Sequence, residues 1–494
     1  MELRPALEGF AGIPQETRLI YSMLHGVEDV QVTGLINHYR RVLAPGLPKE
    51  DKWTTDAYRH KRIHKISRHI VSYKQRPFQS WWERLVYRLR QRMTRTELAA
   101  RARLGLKEKI YHLDPNGFED FIWSTLFSKT LPASEYKSIT KGRFAVLQAP
   151  WVIMHLVGMG GGIYAKYPWI DTKGYHFFLS QTPYPGNMTA GTRLLVRYHD
   201  AIPIFLPHTI PDTSRHQATH YWALRHNVRT GAHFICTSEA TRADLLRIFP
   251  QAERRAHVIH DVVSHNYYEE RAERSRLVEI VRGHIEPDTE PKFLLSREKT
   301  AFYARHLKAD NFRYIMMVST IEPRKNHMKL LGAWDIIRHK LDDHDLKLII
   351  VGRPGWACDR ILEAMRPWQE RGQVFNLSRV PAANLRVLYN GAEAVVCPSL
   401  AEGFDLSGIE AMLCGGAVVA SDIPVHREVY GDAAEYFNPY STMNLAEALL
   451  KVIHPHNRDR RQDLIEKGLL HAQQYRREAI APKWAEVLKE LSTQ

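Results

Sequence analysis

The sequence predicts an α/β protein with two domains, each a parallel sheet flanked by helices, that face each other across a cleft. Its length of 494 residues exceeds what a single hydrophobic core usually spans. The hydrophobic fraction of 44% and the charged fraction of 25% are typical of globular proteins and exclude disordered, collagen-like and coiled-coil classes. Short apolar strands alternate with longer helical patterns, which favours parallel sheets joined by crossover helices.

Two series of strands are predicted along the chain. The strands of the first series lie at 144–147, 175–179, 193–198 and 233–237. Those of the second series lie at 314–318, 346–351, 394–398 and 417–421. The segment 270–308 between the two series is strongly charged and contains prolines, so we place the inter-domain linker there, ending near Asp310. The first domain is therefore 1–309 and the second 310–478, and helical periodicity predicts a final helix over 479–494.

Most of the net positive charge lies in one segment. The formal net charge of the chain is +15, and residues 51–110 hold 17 basic and 5 acidic side chains, hence a net charge of +12. We expect a basic helical insertion over about 51–110, because apolar side chains recur there at helical spacing with arginines mainly on the other side. The apolar positions are Trp81, Trp82, Leu85, Val86, Leu89 and Met93, and the arginines are Arg84, Arg88, Arg90 and Arg95.

This basic amphipathic helix has three interpretations. It binds an anionic membrane surface, it packs its apolar stripe on its own domain, or it binds nucleic acid, which is the least favoured of the three. The four cysteines form no close CxxC pair, and the amino terminus lacks the pattern of a signal peptide. We therefore expect a cytoplasmic location, peripheral on the inner face of the cytoplasmic membrane if the first interpretation holds.

Candidate ligand-binding residues follow predicted strands directly, where open parallel sheets bind their ligands. They are Glu322-Pro323-Arg324-Lys325-Asn326, Gly352-Arg353-Pro354-Gly355 and Pro398-Ser399. Two glutamates, Glu402 and Glu410, are separated by seven residues, with a helix predicted to start near Ser407. Amides at such a helix start suit a diphosphate, and the two carboxylates suit sugar hydroxyls. By spacing alone, two structural glutamates on a helix and its approach loop remain the favoured interpretation.

The ordered set of motifs from Tyr314 to about Tyr440 resembles the nucleotide-sugar-binding domain of the retaining glycosyltransferases of family four. That family has the GT-B fold, in which two Rossmann-like domains face each other across a cleft. The matching pieces are Glu-Pro-Arg-Lys-Asn at 322–326, Val-Gly at 351–352, Leu-Tyr-Asn-Gly-Ala at 388–392, Pro398-Ser399, the two glutamates, and Ala-Ser-Asp-Ile-Pro-Val at 420–425. The first domain matches more loosely, at 198–203 and 236–239. Mannosyltransferases of surface-polysaccharide and O-antigen synthesis are the members that the chain resembles most.

The resemblance implies roles for the matching residues. Arg324 and Lys325 would contact the donor phosphates, and His199 would reach across the cleft toward the transferred sugar. Glu402 would bind hydroxyls of that sugar, and Glu410 the nucleotide ribose. The remaining donor-binding residues would be Asp405, Leu406, Ser407, Gly408, Gly352, Arg353, Pro398 and Ser399. In the GT-B fold, the final helix commonly crosses back onto the first domain, and we expect the same here.

The predicted activity is the transfer of a hexose, with mannose favoured, from a GDP- or UDP-sugar to a glycan or lipid-linked glycan. We expect retention of configuration, and no cofactor or metal. Asp405 and Ser407 stand where the family often has glycine and proline, so Asp405 is expected to alter the accepted sugar epimer or to repel the diphosphate. Two other interpretations stay open: a non-catalytic relic of this fold that binds a membrane or nucleic acid through its basic region, and a nucleotide-sugar epimerase.

Overall fold

The computed structural model describes residues 1–7, 9, 12–37, 78, 80–159, 166–210 and 212–493. The first part of the basic segment, 51–77, therefore lies outside the described residues. The strands are β1 (Thr33–Asn37), β2 (Lys107–Leu113), β3 (Arg143–Leu147), β4 (Trp169–Asp171), β5 (Phe177–Ser180), β6 (Asn187–Met188), β7 (Arg193–Tyr198), β8 (His233–Cys236), β9 (Ala256–Val258), β10 (Tyr314–Val318), β11 (Lys347–Val351), β12 (Val374–Leu377), β13 (Ala394–Cys397), β14 (Val418–Ser421) and β15 (Ala434–Phe437).

The α-helices alternate with these strands in both halves of the chain. They are α1 (Ile13–His25), α2 (Trp81–Arg103), α3 (Glu119–Ile122), α4 (Tyr136–Thr140), α5 (Trp151–Met159), α6 (Ile202–Phe205), α7 (Thr213–Arg229), α8 (Glu239–Ile248), α9 (Arg274–Gly283), α10 (Ser296–His306), α11 (His327–Lys340), α12 (Asp359–Glu370), α13 (Ala382–Gly391), α14 (Leu406–Leu413), α15 (Pro424–Tyr430), α16 (Thr442–Ile453), α17 (Arg458–His471) and α18 (Arg477–Thr493). The predicted α/β class is confirmed.

The second sheet is parallel throughout and has the strand order β12-β11-β10-β13-β14-β15. Its strands are apolar runs that are buried along nearly their whole length, as parallel strands covered by helices on both faces must be. Successive residues enter opposite layers of the core: Met316 belongs to one cluster, and Ile315 and Met317 to the other. The strand order reverses between β10 and β13, which is where sheets of this kind bind their ligands.

The first domain contains two sheets that the amino terminus joins. One has the order β1-β3-β2-β4-β6, with β2 antiparallel to β3, and the other is the parallel sheet β5-β7-β8-β9. The amide of Leu3 donates to Leu35 O at 2.9 Å, and the amide of Glu2 donates to Leu179 O at 2.8 Å. The first residues of the chain thus lie between β1 and β5 and connect the two sheets.

The charged segment 270–308 does not form the linker that the sequence led us to expect. It contains α9 and α10, and their apolar residues Leu277, Ile280 and Tyr303 are buried in the same cluster as Tyr314 of β10. The charged residues of the segment cover the outer face of these helices, and this solvated face produced the linker-like composition. The segment packs against the second sheet.

The final helix α18 begins at Arg477, slightly before the predicted boundary, and packs on the first domain. Ile480, Trp484 and Leu491 are buried in the cluster that also contains Tyr21 of α1. The guanidinium of Arg477 donates to Ser22 O at 2.8 Å. Both apolar packing and a partly buried hydrogen bond therefore hold the final helix on the first domain.

Candidate active site

Two cations stand on a short turn after β10, at the point where the strand order of the second sheet reverses. Arg324 and Lys325 lie on the 3₁₀ turn Pro323–Lys325, which Pro323 begins with a preset backbone angle. Asn326 ends the turn in the left-handed conformation, with φ of 64°. Its side-chain amide donates to Pro398 O at 3.0 Å, which fixes the turn against the loop that follows β13.

The structure brings three of the four predicted catalytic residues into direct contact. Arg324 Nη1 donates to Glu402 Oε2 at 2.7 Å, and Lys325 Nζ is bonded to Glu402 Oε1. Arg324 Nη2 also donates to Glu322 Oε1 at 2.7 Å. Burial favours a raised pKa for Glu402, but the charges of Arg324 and Lys325 outweigh burial and lower the pKa of this carboxyl. Glu402 is therefore ionised, with each oxygen bonded to a cation.

The second glutamate, Glu410, lies inside α14 and is bonded from both domains. Gln15 Nε2, on α1 of the first domain, donates to Glu410 Oε1 at 2.7 Å, and Tyr389 OH donates to Glu410 Oε2 at 3.2 Å. Burial raises the pKa of Glu410 to about 7, although both hydrogen bonds oppose this shift. The carboxyl thus changes its protonation state near neutral pH. Gln15 was not among the predicted site residues.

The structure shows what the unusual Asp405 contacts. Asp405 is the N-cap residue of α14, and its Oδ1 accepts from Ser407 N at 3.1 Å and from Ser407 Oγ at 2.6 Å. His426 Nε2 lies 3.4 Å from Asp405 Oδ2. Burial opposes ionisation, but the contact with His426, the charge of Lys325 and the hydrogen bonds from Ser407 lower the pKa of Asp405. Asp405 and Ser407 together therefore form the cap at the start of α14.

This cap corrects part of the predicted anion site. The amide of Ser407 was expected to meet the donor, and instead it is hydrogen-bonded to the side chain of Asp405 within the loop. Gly408, on the same turn of α14, packs against Tyr430: a Cβ added there would lie 2.4 Å from the Tyr430 ring. Leu406 is the first residue of α14 and is partly buried against the core of the second domain.

The other predicted donor-binding residues act mainly through their backbones. A Cβ on Gly352 would lie 1.8 Å from Ser319 O, so close packing alone requires glycine at this position. Arg353 is exposed, and its carbonyl accepts from Ile321 N at 2.9 Å. Two further backbone carbonyls accept hydrogen bonds here: that of Pro398 from Asn326 and that of Ser399 from Ser421 Oγ, at 2.6 Å.

His199, the fourth predicted catalytic residue, follows β7 and belongs to a buried charge cluster. His199 Nδ1 lies 3.1 Å from Glu16 Oε2, and Glu16 Oε1 lies 2.5 Å from the guanidinium of Arg197. The same guanidinium is bonded to Asp261 Oδ1 at 2.6 Å. Burial lowers the pKa of His199 despite the nearby Glu16 carboxylate, so the imidazole is neutral at pH 7.

Glu16, His199 and Asp261 together have the ligand types of a metal site, and their candidate atoms lie within 4.8 Å of one another. The guanidinium of Arg197 already stands between the two carboxylates and supplies the positive charge that a metal would supply. Burial, together with the Glu16 charge, raises the pKa of Asp261 well above its ordinary value, whereas the charge of Arg197 holds the pKa of Glu16 low against burial. We therefore assign this cluster the role of holding its own side chains in position.

The two domains meet closely between His199 and Gly403. A Cβ on Gly403 would lie 1.6 Å from His199 O, so only glycine permits this approach. Thr237 Oγ1 donates to both His199 O and Gly403 O, each at 3.1 Å, and Ser238 Oγ donates to Gly403 O at 2.8 Å. The loop that carries Glu402 is thus bonded directly to the strand ends of the first domain. This contact places His199 beside that loop.

Three residues of this site were missed from the sequence. Gln15 and Glu16 stand in the first turn of α1, where polar residues usually face solvent, and Asp261 follows the short strand β9. All three are buried. Their partners lie far along the chain, up to 395 residues away for Gln15 and Glu410. A buried polar pair of this kind leaves no periodic or local signal in the sequence.

Comparisons with known proteins agree with this geometry. Residues 298–470 match the family model described as glycosyl transferases group 1. O-antigen chain mannosyltransferase B of Escherichia coli is 32% identical over 162 residues, which cover 33% of this chain and 42% of that protein. O-antigen chain mannosyltransferase RfbU of Salmonella typhimurium is 33% identical over 135 residues, which cover 27% of this chain and 36% of that protein. The matches thus span less than half of these relatives.

A solved structure supports the fold over a larger part of the chain. Sucrose-phosphate synthase from Thermosynechococcus elongatus aligns with a TM-score of 0.51 at 16% sequence identity, covering 72% of this chain and 84% of that one. At this identity the likeness concerns the fold alone, and it confirms the predicted GT-B architecture. Residues 298–470 of the chain are thus similar to glycosyl transferases group 1, and they lie on this fold.

Proposed function

We propose that the chain is a retaining mannosyltransferase that moves mannose from a nucleotide sugar to a glycan or lipid-linked glycan in the synthesis of a cell-surface polysaccharide. The observation that carries this proposal is the contact of Arg324 and Lys325 with Glu402 where the strand order reverses. The names of the curated relatives support mannose as the transferred sugar and O-antigen as the class of product.

Arg324 and Lys325 would stabilise the leaving diphosphate. Cleavage of the bond between sugar and phosphate develops negative charge on the departing oxygens, and cations held in place lower the barrier most. The turn is fixed by Asn326, so both cations are positioned before any donor binds. Lys325 has three N–H donors, one of which bonds Glu402. This cation pair serves a GDP- or UDP-sugar without a metal, and we propose no cofactor.

Glu402 would bind the hydroxyls of the transferred sugar rather than attack its anomeric carbon. Both of its oxygens are ion-paired, which lowers their basicity and makes the carboxylate a poor nucleophile. We therefore favour attack by the acceptor on the same face as the departing diphosphate, with a phosphate oxygen taking the proton. His199, neutral and held by Glu16, would hydrogen-bond the sugar near the reacting carbon.

Glu410 would accept hydrogen bonds from the ribose of the nucleotide. Its two oxygens are bonded to Gln15 and Tyr389, so the ribose hydroxyls would share these oxygens or replace Gln15. Asp405 lies close to the proposed diphosphate position, and its negative charge would weaken phosphate binding relative to glycine. The cap that it forms would offset this cost by holding the start of α14 in place.

The proposed location is the inner face of the cytoplasmic membrane, where lipid-linked glycans are extended. Among the described residues, no helix is long and apolar enough to cross a membrane. We propose a peripheral association with the membrane through the basic region.

A panel of GDP- and UDP-sugars tests the proposed activity. The full-length protein is incubated with each donor in the presence and absence of a lipid-linked glycan acceptor, and nucleotide release and the anomeric configuration of the product are measured. Acceptor-dependent release from GDP-mannose with an α-linked product supports the proposal. Release from no donor supports the non-catalytic relic, and conversion of the donor sugar without acceptor supports the epimerase.

A further inference from the structure

Helix α2 turns its apolar side chains away from the protein. Trp81, Trp82, Leu85, Val86, Leu89 and Met93 have exposed fractions between 39% and 70%. The rings of Trp81 and Trp82 stack on each other, with centroids 3.8 Å apart. The sequence left open whether this stripe packs on its own domain. Among the residues that the structure describes, none of the stripe joins a hydrophobic core.

The side of α2 that faces the protein is mostly polar. Half-buried or buried side chains recur along one face at Glu83, Tyr87, Gln91, Thr94 and Leu98, at intervals of three or four residues. At about 3.6 residues per turn, this face lies opposite the apolar stripe. An ordinary surface helix has the reverse arrangement. The end of α2 is anchored in apolar surroundings, where Leu98 and Ala102 join the core of the first domain.

Arginines border the exposed stripe along its whole length. Arg84, Arg88, Arg90, Arg92 and Arg95 are exposed, and α2 as a whole contains seven arginines and two glutamates, hence a net charge of +5. Ser80 caps the start of the helix through a hydrogen bond from Glu83 N at 3.2 Å, so the face is held as a regular helix up to its first turn. Exposed tryptophans flanked by arginines match the interface of an anionic bilayer in both polarity and charge.

We propose that the outer face of α2, defined by Trp81, Trp82, Leu85, Val86, Leu89 and Met93 with the bordering arginines, is a docking surface for an anionic lipid bilayer. The tryptophans and aliphatic side chains enter the headgroup region, and the arginines contact lipid phosphates. Docking holds the first domain, on which a lipid-linked acceptor would bind, against the membrane. The inference rests on the proposed peripheral association, which it assigns to one surface, and it does not depend on which sugar is transferred.

Sedimentation of the full chain with vesicles tests the proposal. The protein is mixed with phosphatidylcholine vesicles that contain or lack phosphatidylglycerol. We expect strong binding to the anionic vesicles that weakens as salt is raised, and little binding to pure phosphatidylcholine. Replacing Arg84, Arg88 and Arg90 with glutamine is expected to weaken binding roughly 100-fold. The matched control replaces three exposed arginines elsewhere, Arg254, Arg360 and Arg366, with glutamine, and is expected to bind like the wild type.

Fluorescence quenching by brominated lipids tests which residues enter the bilayer. We expect quenching of the wild type, and loss of most of it in the Trp81→Phe/Trp82→Phe variant, which keeps the apolar face and therefore still sediments. Trp81→Ser/Trp82→Ser is expected to lose at least about tenfold in binding. Because both side chains are exposed, neither variant should unfold, and circular dichroism checks this.

Three results would overturn the proposal. The first is equal sedimentation of the wild type and the triple glutamine variant. The second is a wild type that forms dimers in the absence of lipid, becomes monomeric in Trp81→Ser/Trp82→Ser and ignores vesicles, which would assign the face to a second copy of the chain. The third is tight binding to RNA or DNA with no binding to anionic vesicles.

Discussion

Glu16 Oε2 lies 3.1 Å from His199 Nδ1, and the other oxygen of the same carboxylate is bonded to Arg197. One carboxylate therefore lies against the histidine next to the cleft and compensates a fully buried guanidinium. Asp261 bonds the same guanidinium, and the two carboxyl groups hold each other's pKa values apart. This arrangement predicts how single and double substitutions differ.

The double variant Glu16→Gln/Asp261→Asn should unfold far more easily than either single variant. In Glu16→Gln, the raised pKa of Asp261 falls, and Asp261 ionises to balance the charge of Arg197. The expected loss in the free energy of unfolding is therefore about 1 kcal/mol. With both carboxylates removed, Arg197 is buried without a counter-ion, and the expected loss is about 3–5 kcal/mol. Urea denaturation of the wild type, the two single variants and the double variant measures these losses. Additive single effects would contradict the shared-charge account.

Glu410→Gln should stabilise the protein at alkaline pH. The pKa of Glu410 is about 7 in the folded chain and about 4.5 in a free carboxyl, so the folded state binds the proton more tightly. Stability is therefore lost as pH rises from 4.5 through 7, by about 3 kcal/mol at most for this group. We expect the variant to match the wild type near pH 4.5 and to exceed it above pH 8 in urea denaturation. A difference that does not change with pH would contradict this.

Gly403→Ala should abolish most activity, because the added Cβ would lie 1.6 Å from His199 O and force the two domains apart. A displacement of about 1 Å at a reacting centre costs roughly 100-fold in rate, and we expect at least that loss in kcat/KM. Gly283→Ala is the matched control, since nothing lies within 4 Å of a Cβ there. Equal activity of the two variants would show that the contact is not needed.

Asp405→Asn should bind nucleoside diphosphates several-fold more tightly while losing about 1 kcal/mol of stability. Asparagine keeps the cap on Ser407 but removes the negative charge near the proposed phosphate position and the contact of that carboxylate with His426. Calorimetric binding of GDP and UDP, together with urea denaturation, measures both effects. Weaker binding in the variant would mean that Asp405 contacts the donor favourably.

The eight strands that the sequence predicted lie within two residues of their observed positions, because buried parallel strands are apolar runs, as at β10 and β13. The other seven strands of the described residues were not predicted. The positions of Arg324, Glu402 and Glu410 were predictable because the first two stand shortly after such strands and Glu410 lies in the helix that follows, whereas their roles toward a donor stay predictions. Gln15 and Glu16 were not, because their partners lie far along the chain and nothing local distinguishes them from solvated residues of a first helical turn. Which face of α2 points outward was also not predictable, since an amphipathic pattern does not say which side of a helix packs on the protein.

The central claim is that Arg324 and Lys325 hold the diphosphate of the donor, and calorimetric titration of GDP and UDP tests it most directly. The Arg324→Gln/Lys325→Gln variant is compared with the wild type, and with Arg360→Gln as a control on an exposed arginine of α12. We predict that the wild type and the control bind one of the two nucleotides equally and that the double variant binds it at least about 100-fold more weakly. Undiminished binding by the double variant, with its fold intact by circular dichroism, would contradict the claim.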